Sequence, residues 1–395
     1  MPEGLRRAMD DHYPRLGFGC MRLPKSIPSS EALIMRALRL GVDYFDTAYI
    51  YPGNEELLGT ILEKNHCRDQ VKIATKLPHY LIKKKDDMDR YFDVQKRRLK
   101  TSYIDNYLIH MLPDVAIWQR LVDLDILSWI REKKASGEIR KIGFSFHGST
   151  ENFLALLDVH PWDFCLVQYN YMDETSQAGR IGVETAHKKG IPVIIMEPLR
   201  GGLLANNLPP KALRLMGEYK DGSSAKTWTP AEWALRWLWD QEAVTSILSG
   251  MNQMDMLEEN VRIARDAGPD HLTHQQREFY QALKAAAWEN IPVDCTGCGY
   301  CMPCPYGVNI PACFRCYNAA TLDGYAKAFK EYIMTTSFTE EGTNAGRCVS
   351  CNACVSRCPQ NIPIPRKLSR VKRKFEHLPY RLARKIILAK FTRKK

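Results

Sequence analysis

From about residue 15 to 265 the chain alternates short apolar, β-rich runs with longer amphipathic stretches. The runs at 16–19 (LGFG), 42–46 (VDYFD), 71–75 (VKIAT), 105–110 (DNYLIH), 140–144 (RKIGF), 164–168 (FCLVQ), 192–196 (PVIIM) and 244–248 (VTSIL) read as strands. Helical periodicity fills the intervals at 30–40, 54–64, 88–101, 119–136, 151–158, 176–189, 230–240 and 253–265. Parallel strands need crossover helices, and right-handed crossovers close the sheet, so eight such pairs in about 250 residues predict a (β/α)8 TIM barrel. A doubly wound open sheet is the competing reading. It usually carries G-x-G-x-x-G after its first strand, and the run from Gly17 to Arg22 does not complete that pattern.

A barrel of this kind builds its active site at the carboxyl ends of its strands. There the sequence places Asp46 at the end of strand 2, Tyr51 in the following loop, Lys76 after strand 3 and His110 at the end of strand 4. Singly each has an ordinary explanation: a turn cap, a solvated lysine, a core histidine. Together they make a chemical set. A phenol is a poor acid at neutral pH, but a neighbouring ammonium stabilises its phenolate, and a carboxylate keeps that ammonium charged. An imidazole beside them directs a carbonyl oxygen to the phenol, a combination suited to hydride addition to an aldehyde or ketone.

The charge balance changes the picture only at one end. Of 56 Lys and Arg against 45 Asp and Glu, net +11, residues 366–395 hold 13 cations and a single acid. The first 365 residues, with 43 cations and 44 acids, are therefore close to neutral. Whole-chain charge thus says nothing about the ligand of the body, and with no recognition motif beside it nucleic acid is not expected. The amino terminus lacks the apolar core of a signal peptide and no run is long and apolar enough to span a bilayer, so a cytoplasmic chain is expected.

Ten of the 13 cysteines lie between Cys295 and Cys358. In a reducing compartment such a cluster points to metal rather than disulfides. Residues 348–359 (CVSCNACVSRCP) give the full C-x2-C-x2-C-x3-C-P run, and 295–305 (CTGCGYCMPCP) keep the cysteines and final Cys-Pro but are one residue shorter before the last. Successive x2 spacing ending in Cys-Pro resembles two-cluster ferredoxins more than tetrahedral zinc sites, which remain the alternative. That resemblance implies one 4Fe-4S cluster on Cys295, Cys298, Cys301 and Cys358 and a second on Cys348, Cys351, Cys354 and Cys304. The short first run leaves Cys313 or Cys316 as alternative ligands. Helical patterns at 312–320 and 322–333 separate the two runs. The expected organisation is a barrel over 1–285, a small, mainly helical ferredoxin-like iron-sulfur domain over 286–365, and a basic tail over 366–395.

The motifs GVDYFDTAYIYPGNEELLG, KIATKL, NYLIHML, GFSFHG, LVQYN and IIMEPLRGG, in that order, resemble the aldo/keto reductase superfamily over roughly residues 15–265, and with the cysteine module the subgroup carrying a C-terminal 4Fe-4S ferredoxin-type domain. The resemblance implies a catalytic tetrad of Asp46, Tyr51, Lys76 and His110, with Tyr51 favoured over the nearby Tyr49. It implies that Ser145 and Gln168 hold the nicotinamide carboxamide and that Pro198, Leu199 and Arg200 border the dinucleotide channel. Ser249, Gly250, Met251 and Asn252, with Glu259 and Asn260, would face the adenosine end.

Two departures matter. No Lys or Arg follows strand 8 before Arg262 and Arg265, so a 2′-phosphate lacks its usual partner and NAD, NADP and a flavin (FMN) all stay open. Phe146 stands where many members have Asn after the serine, followed by His147, an aromatic able to serve a planar cofactor. Nicotinamides move two electrons and clusters one, which a flavin would reconcile. The expected function is reduction of a small carbonyl, or oxidation of an alcohol, coupled to electron transfer through the clusters. A plain NAD(P)H carbonyl reductase with structural clusters is the second reading, and a redox-sensing or partner-binding subunit with little turnover the third. For the tail the readings are a solvated helix, a docking arm for an acidic redox partner protein, and a membrane-surface contact through Leu382, Ala383, Ile386, Ile387, Ala389 and Phe391.

Overall fold

Glycine at position 17 of the first strand sets how closely the barrel packs: a Cβ there would stand 2.6 Å from the Leu248 side chain and 3.1 Å from Tyr44. In the computed structural model, which describes residues 13–220, 228–288, 291–322, 324–337 and 342–384, eight parallel strands close in sequence order. They are β1 (Leu16–Gly19), β2 (Tyr44–Asp46), β3 (Lys72–Leu77), β4 (Ile104–Leu112), β5 (Ile139–Phe146), β6 (Phe164–Gln168), β7 (Val193–Met196) and β8 (Ser246–Ser249), with β8 pairing back onto β1. Tyr44, Ala74, Leu108, Phe164, Leu166, Ile194 and Leu248 form one buried cluster with Tyr13. Side chains from strands on opposite sides of a closed sheet meet only through its interior, so these fill the barrel.

Side chains alternate along a strand. Two residues beyond Tyr44, Ala74, Leu108, Leu166 and Ile194 therefore come Asp46, Lys76, His110, Gln168 and Met196, the next inward layer toward the carboxyl ends. This layer is the polar one. The strands expected from sequence are all present with shifted ends; among these shifts, β3 runs to Leu77, so Lys76 lies within it, and β4 continues past His110 to Leu112. The β4–β5 register shifts between Ile109 and Leu112, and Met111 adopts a left-handed φ of 53°. The irregularity falls immediately after His110 at the strand's carboxyl end, where barrels build their sites.

The stretch 119–136, expected as one helix, is two, Val115–Asp123 and Ile126–Ala135. The Asp114 carboxylate accepts from the Ile117 amide (2.8 Å) and starts the first, and Asp125 with φ 66° breaks the run. Period alone missed the break because the apolar spacing continues across it. Helices Pro210–Glu218 and His274–Trp288 were not expected from the sequence.

The chain divides into two compact units, one of residues up to 199 with 231–277, the other of 200–230 with 278 onward. The second is built on helices Ile310–Leu322, Tyr325–Thr336 and Ile364–Phe375 around Val308, Phe314, Ala328, Tyr332, Leu368, Val371 and Phe375. Glu376 is the bolt of this unit. Its carboxylate accepts from Tyr332 Oη (2.7 Å), the Gly346 amide (2.7 Å) and Asn344 Nδ2 (2.7 Å), tying two helices to the turn before Cys348. The segment read as a tail from 366 thus begins as a packed helix, and its positions 385–395, including Ile386, Ile387, Ala389 and Phe391, lie outside the described residues. Among the described residues no helix is long and apolar enough to cross a membrane.

Candidate active site

An ammonium taken out of water is costly unless a charge and hydrogen-bond acceptors replace the water. Lys76 is 2% exposed, and its Nζ donates to both oxygens of Asp46 (2.8 and 2.7 Å) and to the Thr47 carbonyl (2.7 Å). All three ammonium hydrogens have an acceptor. Burial pushes the Asp46 carboxyl up, and the Lys76 ammonium opposes that push. The Tyr51 ring lies 5.5 Å from Lys76 Nζ. Tyr49 belongs elsewhere: Arg98 sits over its ring at 4.7 Å and Tyr91 packs edge-on at 5.1 Å.

Behind Lys76 the strand is held by a buried polar network. Glu55 accepts from Thr75 Oγ1 (2.7 Å) and Gln95 Nε2 (2.7 Å), and Gln95 Oε1 accepts from Tyr107 Oη (2.6 Å). His110 is buried on the same rim. Desolvation first, and then the Lys76 ammonium, hold its imidazole well below the ordinary range, so it is neutral at pH 7. A neutral imidazole presents a hydrogen-bond donor without adding a second cation beside Lys76. The four residues singled out in the sequence are thus brought to one rim.

Ser145 and Gln168 are at that rim too, but already engaged. Ser145 Oγ accepts from the Met111 amide (2.7 Å), which fixes the bulge. Gln168 Nε2 donates to Asp173 Oδ2 (2.8 Å), while its Oε1 accepts from Gln177 Nε2. Gln177 Oε1 in turn accepts from His147 Nδ1 (2.9 Å). Asp173 and Gln177 escaped the sequence reading; the Asn170-x-x-Asp173 turn after β6, where Asn170 Oδ1 accepts from the Met172 and Asp173 amides, was the available signal. Phe146 is a correction. Its ring packs edge-on against Phe153 of helix Thr150–Leu156 at 5.0 Å, because an odd step along β5 from Ser145 turns it to the helix side, so it offers no platform in the barrel mouth.

Burial lowers His147 to about 4 against the Gln177 bond, and burial likewise lowers His79, whose Nε2 donates to the Met111 carbonyl (3.3 Å), to about 4. The unfolded chain protonates both near 6.5, so between about 6.5 and 4 it binds more protons than the folded one. Stability contributed by each is full above that window and is lost as pH falls through it, by about 3 kcal/mol per imidazole. Urea midpoints measured from neutral pH to about pH 4 are expected to fall accordingly, with a shallower slope for His147→Gln.

At the β8 end, Ser249 Oγ accepts from Asn260 Nδ2 (2.9 Å), Met251 is buried, Asn252 is exposed and Glu259 half-buried. Pro198 is buried and Leu199 half-buried at the end of the first unit. Arg200, expected along the dinucleotide channel, has its guanidinium 2% exposed and paired with Asp294. The next residue, Gly201, has φ 68° and approaches the Thr296 carbonyl so closely that a Cβ would stand 2.0 Å from it. Arg262 pairs with Glu232 (2.7 Å), and Arg265 donates to the Leu40 carbonyl (3.4 Å).

In the second unit Cys295, Cys298, Cys301 and Cys358 line one cavity, with Ile310, Phe314, Ile362 and Ile364 as its apolar wall. Burial, then the neighbouring Cys298, Cys295 and Cys358, push the Cys301 thiol up to about 12. Cys354 has a different set of neighbours, Cys348, Cys304 and Cys351, and is pushed up chiefly by burial. Two groups of four thiols result. Four soft thiolates in an apolar wall fit an iron-sulfur cluster. Cys313 and Cys316 have hydrogen-bond partners of their own: the first donates to the Thr343 carbonyl (3.8 Å), with Cys348 near enough to add to the upward push of burial on its thiol, and the second meets Thr335 Oγ1 (3.7 Å).

Fold and rim define a (β/α)8 enzyme barrel joined to a thiolate-rich module. Residues 15–267 match the aldo/keto reductase family, and residues 294–362 match the 4Fe-4S dicluster domain. The chain belongs to the aldo/keto reductase family and carries a C-terminal 4Fe-4S dicluster domain; it is an oxidoreductase of the aldo/keto reductase type. Among its relatives, the Schizosaccharomyces pombe aldo-keto reductase yakc [NADP(+)] is 24% identical over 294 residues, 65% of this chain and 85% of that one. L-galactose dehydrogenase of Arabidopsis thaliana is 27% identical over 302 residues, covering 69% and 92%. The aldo-keto reductase AKR11C1 of Bacillus halodurans, solved in holo form, superposes with a TM-score of 0.56 at 26% identity, covering 70% of this chain and 94% of that one.

Proposed function

We propose that the protein transfers a hydride between a nicotinamide cofactor and a small carbonyl or alcohol, with Tyr51 as general acid and base, and exchanges electrons through two 4Fe-4S clusters. The observation that carries the first half is the buried Lys76 ammonium, held by both oxygens of Asp46 with the Tyr51 ring 5.5 Å away. Lys76 stabilises the phenolate left when Tyr51 gives up its proton, Asp46 keeps Lys76 charged, and neutral His110 orients the carbonyl oxygen. Ser145 and Gln168, pre-oriented by the Met111 amide and by Asp173 and Gln177, would hold the carboxamide end of the cofactor. The cofactor supplies the hydride.

On the module side we assign one cluster to Cys295, Cys298, Cys301 and Cys358 and the other to Cys348, Cys351, Cys354 and Cys304, on the two neighbour sets and the ferredoxin spacing. Anaerobically purified protein is expected to contain about eight irons and eight sulfides per chain by this assignment. Cluster reduction on adding a nicotinamide and alcohol substrate checks the coupling, and clusters that stay oxidised throughout turnover would favour a structural role for them. With Phe146 turned away, a flavin rests only on the mismatch between two-electron and one-electron carriers. Mass analysis of the bound small molecules decides it.

Cofactor choice follows from a committed cation. Arg262, the first cation after β8, is engaged by Glu232 (2.7 Å), which weakens its availability to a 2′-phosphate. NADH is expected to be used with a kcat/KM at least about tenfold above that for NADPH. Equal or better use of NADPH would overturn this choice.

A further inference from the structure

Helix Ile364–Phe375 turns its apolar side, Ile364, Leu368, Val371 and Phe375, into the core of the second unit. The opposite side carries Arg366, Arg370 and Arg373, spaced as neighbours on one helical face, with Lys372 and Lys374 beside them, all exposed. Eight cations and one acid lie between residues 366 and 384, and that acid, Glu376, is spent inward on Tyr332, Asn344 and Gly346. Among the described residues no carboxylate pairs with Arg366, Arg370, Lys372 or Arg373, so a concentrated positive face remains.

The position of that face gives it a use. Ile362 and Ile364, at the start of the helix, form part of the wall of the cavity lined by Cys295, Cys298, Cys301 and Cys358. At about 1.5 Å per residue, Arg366 stands roughly 3 Å and Arg373 roughly 14 Å along the axis from Ile364. A protein seated on the row therefore lies across the helix from the cluster wall, separated from it by the helix's own width of about 10 Å. We infer that this face docks an acidic electron-carrier protein, which exchanges single electrons with the cluster on Cys295, Cys298, Cys301 and Cys358. The inference rests on the proposed redox role of the clusters. An acidic protein is favoured over an anionic membrane because the helix's apolar side is consumed in the core and is not available to enter lipid. Each transfer is one electron from the reduced partner to the oxidised one, in either direction, with no bond made or broken.

The test uses the cluster-loaded full chain and the Arg366→Glu/Arg370→Glu/Arg373→Glu variant, with an acidic plant-type 2Fe-2S ferredoxin as the probe carrier, followed by stopped-flow absorbance. Wild type is expected to exchange electrons at a rate that falls steeply with added salt; the variant should be at least about tenfold slower at low ionic strength and nearly insensitive to salt. Rates within twofold of each other would overturn the docking face. So would binding of wild type but not variant to phosphatidylserine vesicles with unchanged ferredoxin exchange, which assigns the face to lipid. Reduction of both proteins by a viologen dye, with matching iron content, shows that the clusters are intact. Should the reversed variant fail to load iron, the Arg366→Gln/Arg370→Gln/Arg373→Gln variant carries the same comparison, and a salt slope equal to wild type counts against the inference. Clusters that no dye reduces would instead defeat the redox reading itself.

Discussion

Replacing Tyr51 by Phe is expected to lower kcat for aldehyde reduction by about 10³-fold, within the range that a positioned acid contributes. The substitution keeps the ring beside Lys76 and removes only the hydroxyl, so stability and cofactor affinity should change little. Tyr49→Phe, under Arg98 and against Tyr91, should leave kcat within about twofold, since its ring serves packing. Single-turnover reduction of an aromatic aldehyde with NADH measures both. Equal losses in the two variants would sink the assignment of the acid, and equal retention would favour a sensing subunit over an enzyme.

Lys76→Met is the second large effect, and it acts on folding as well as chemistry. Removing the ammonium strands the Asp46 carboxylate, which is 7% exposed, with no cation within reach at a site already costly for charge. The expected cost is about 3–5 kcal/mol, with loss of carbonyl reduction. The double variant Asp46→Asn/Lys76→Met removes both charges and should recover most of that stability while remaining inactive, because the phenol still lacks its partner. Unfolding midpoints in urea, beside kcat, separate the two consequences. A double variant as unstable as Lys76→Met would mean that packing, not the stranded charge, dominates.

Much of the barrel was legible along the chain. The alternation of short apolar runs and amphipathic stretches located all eight strands, because a strand buried on both faces leaves a local mark in the sequence. The convergence of Asp46, Lys76 and His110 was legible for the same reason, since strand ends in a barrel converge on one rim whatever the loops do. The bulge at Met111 left no mark: it exists because β4 and β5 lose register, and neither strand shows that alone. Gln177 was equally silent, reaching Gln168 from a loop nine residues away in sequence.

The direction of Phe146 was readable in principle from the alternation that places Ser145 inward. Its resemblance to a cofactor platform obscured that count. Arg200 was not readable at all. Nothing near it in the chain announces Asp294, 94 residues on, yet that partner takes up its guanidinium. The charge of the C-terminal segment divides in the same way. Composition located it, but only the packing of Leu368, Val371 and Phe375 turned a basic stretch into a helix with one committed and one exposed face.

The sequence by itself thus determined the barrel, the acidic, phenolic, cationic and imidazole groups at its mouth, and the two cysteine runs, because these follow from periods and spacings within a few turns of chain. The tertiary structure decided which tyrosine stands by Lys76, which four thiols stand together, and which arginines are already paired. Those outcomes depend on partners brought from distant parts of the chain, and a charge or a thiol acquires its chemistry from what faces it in space.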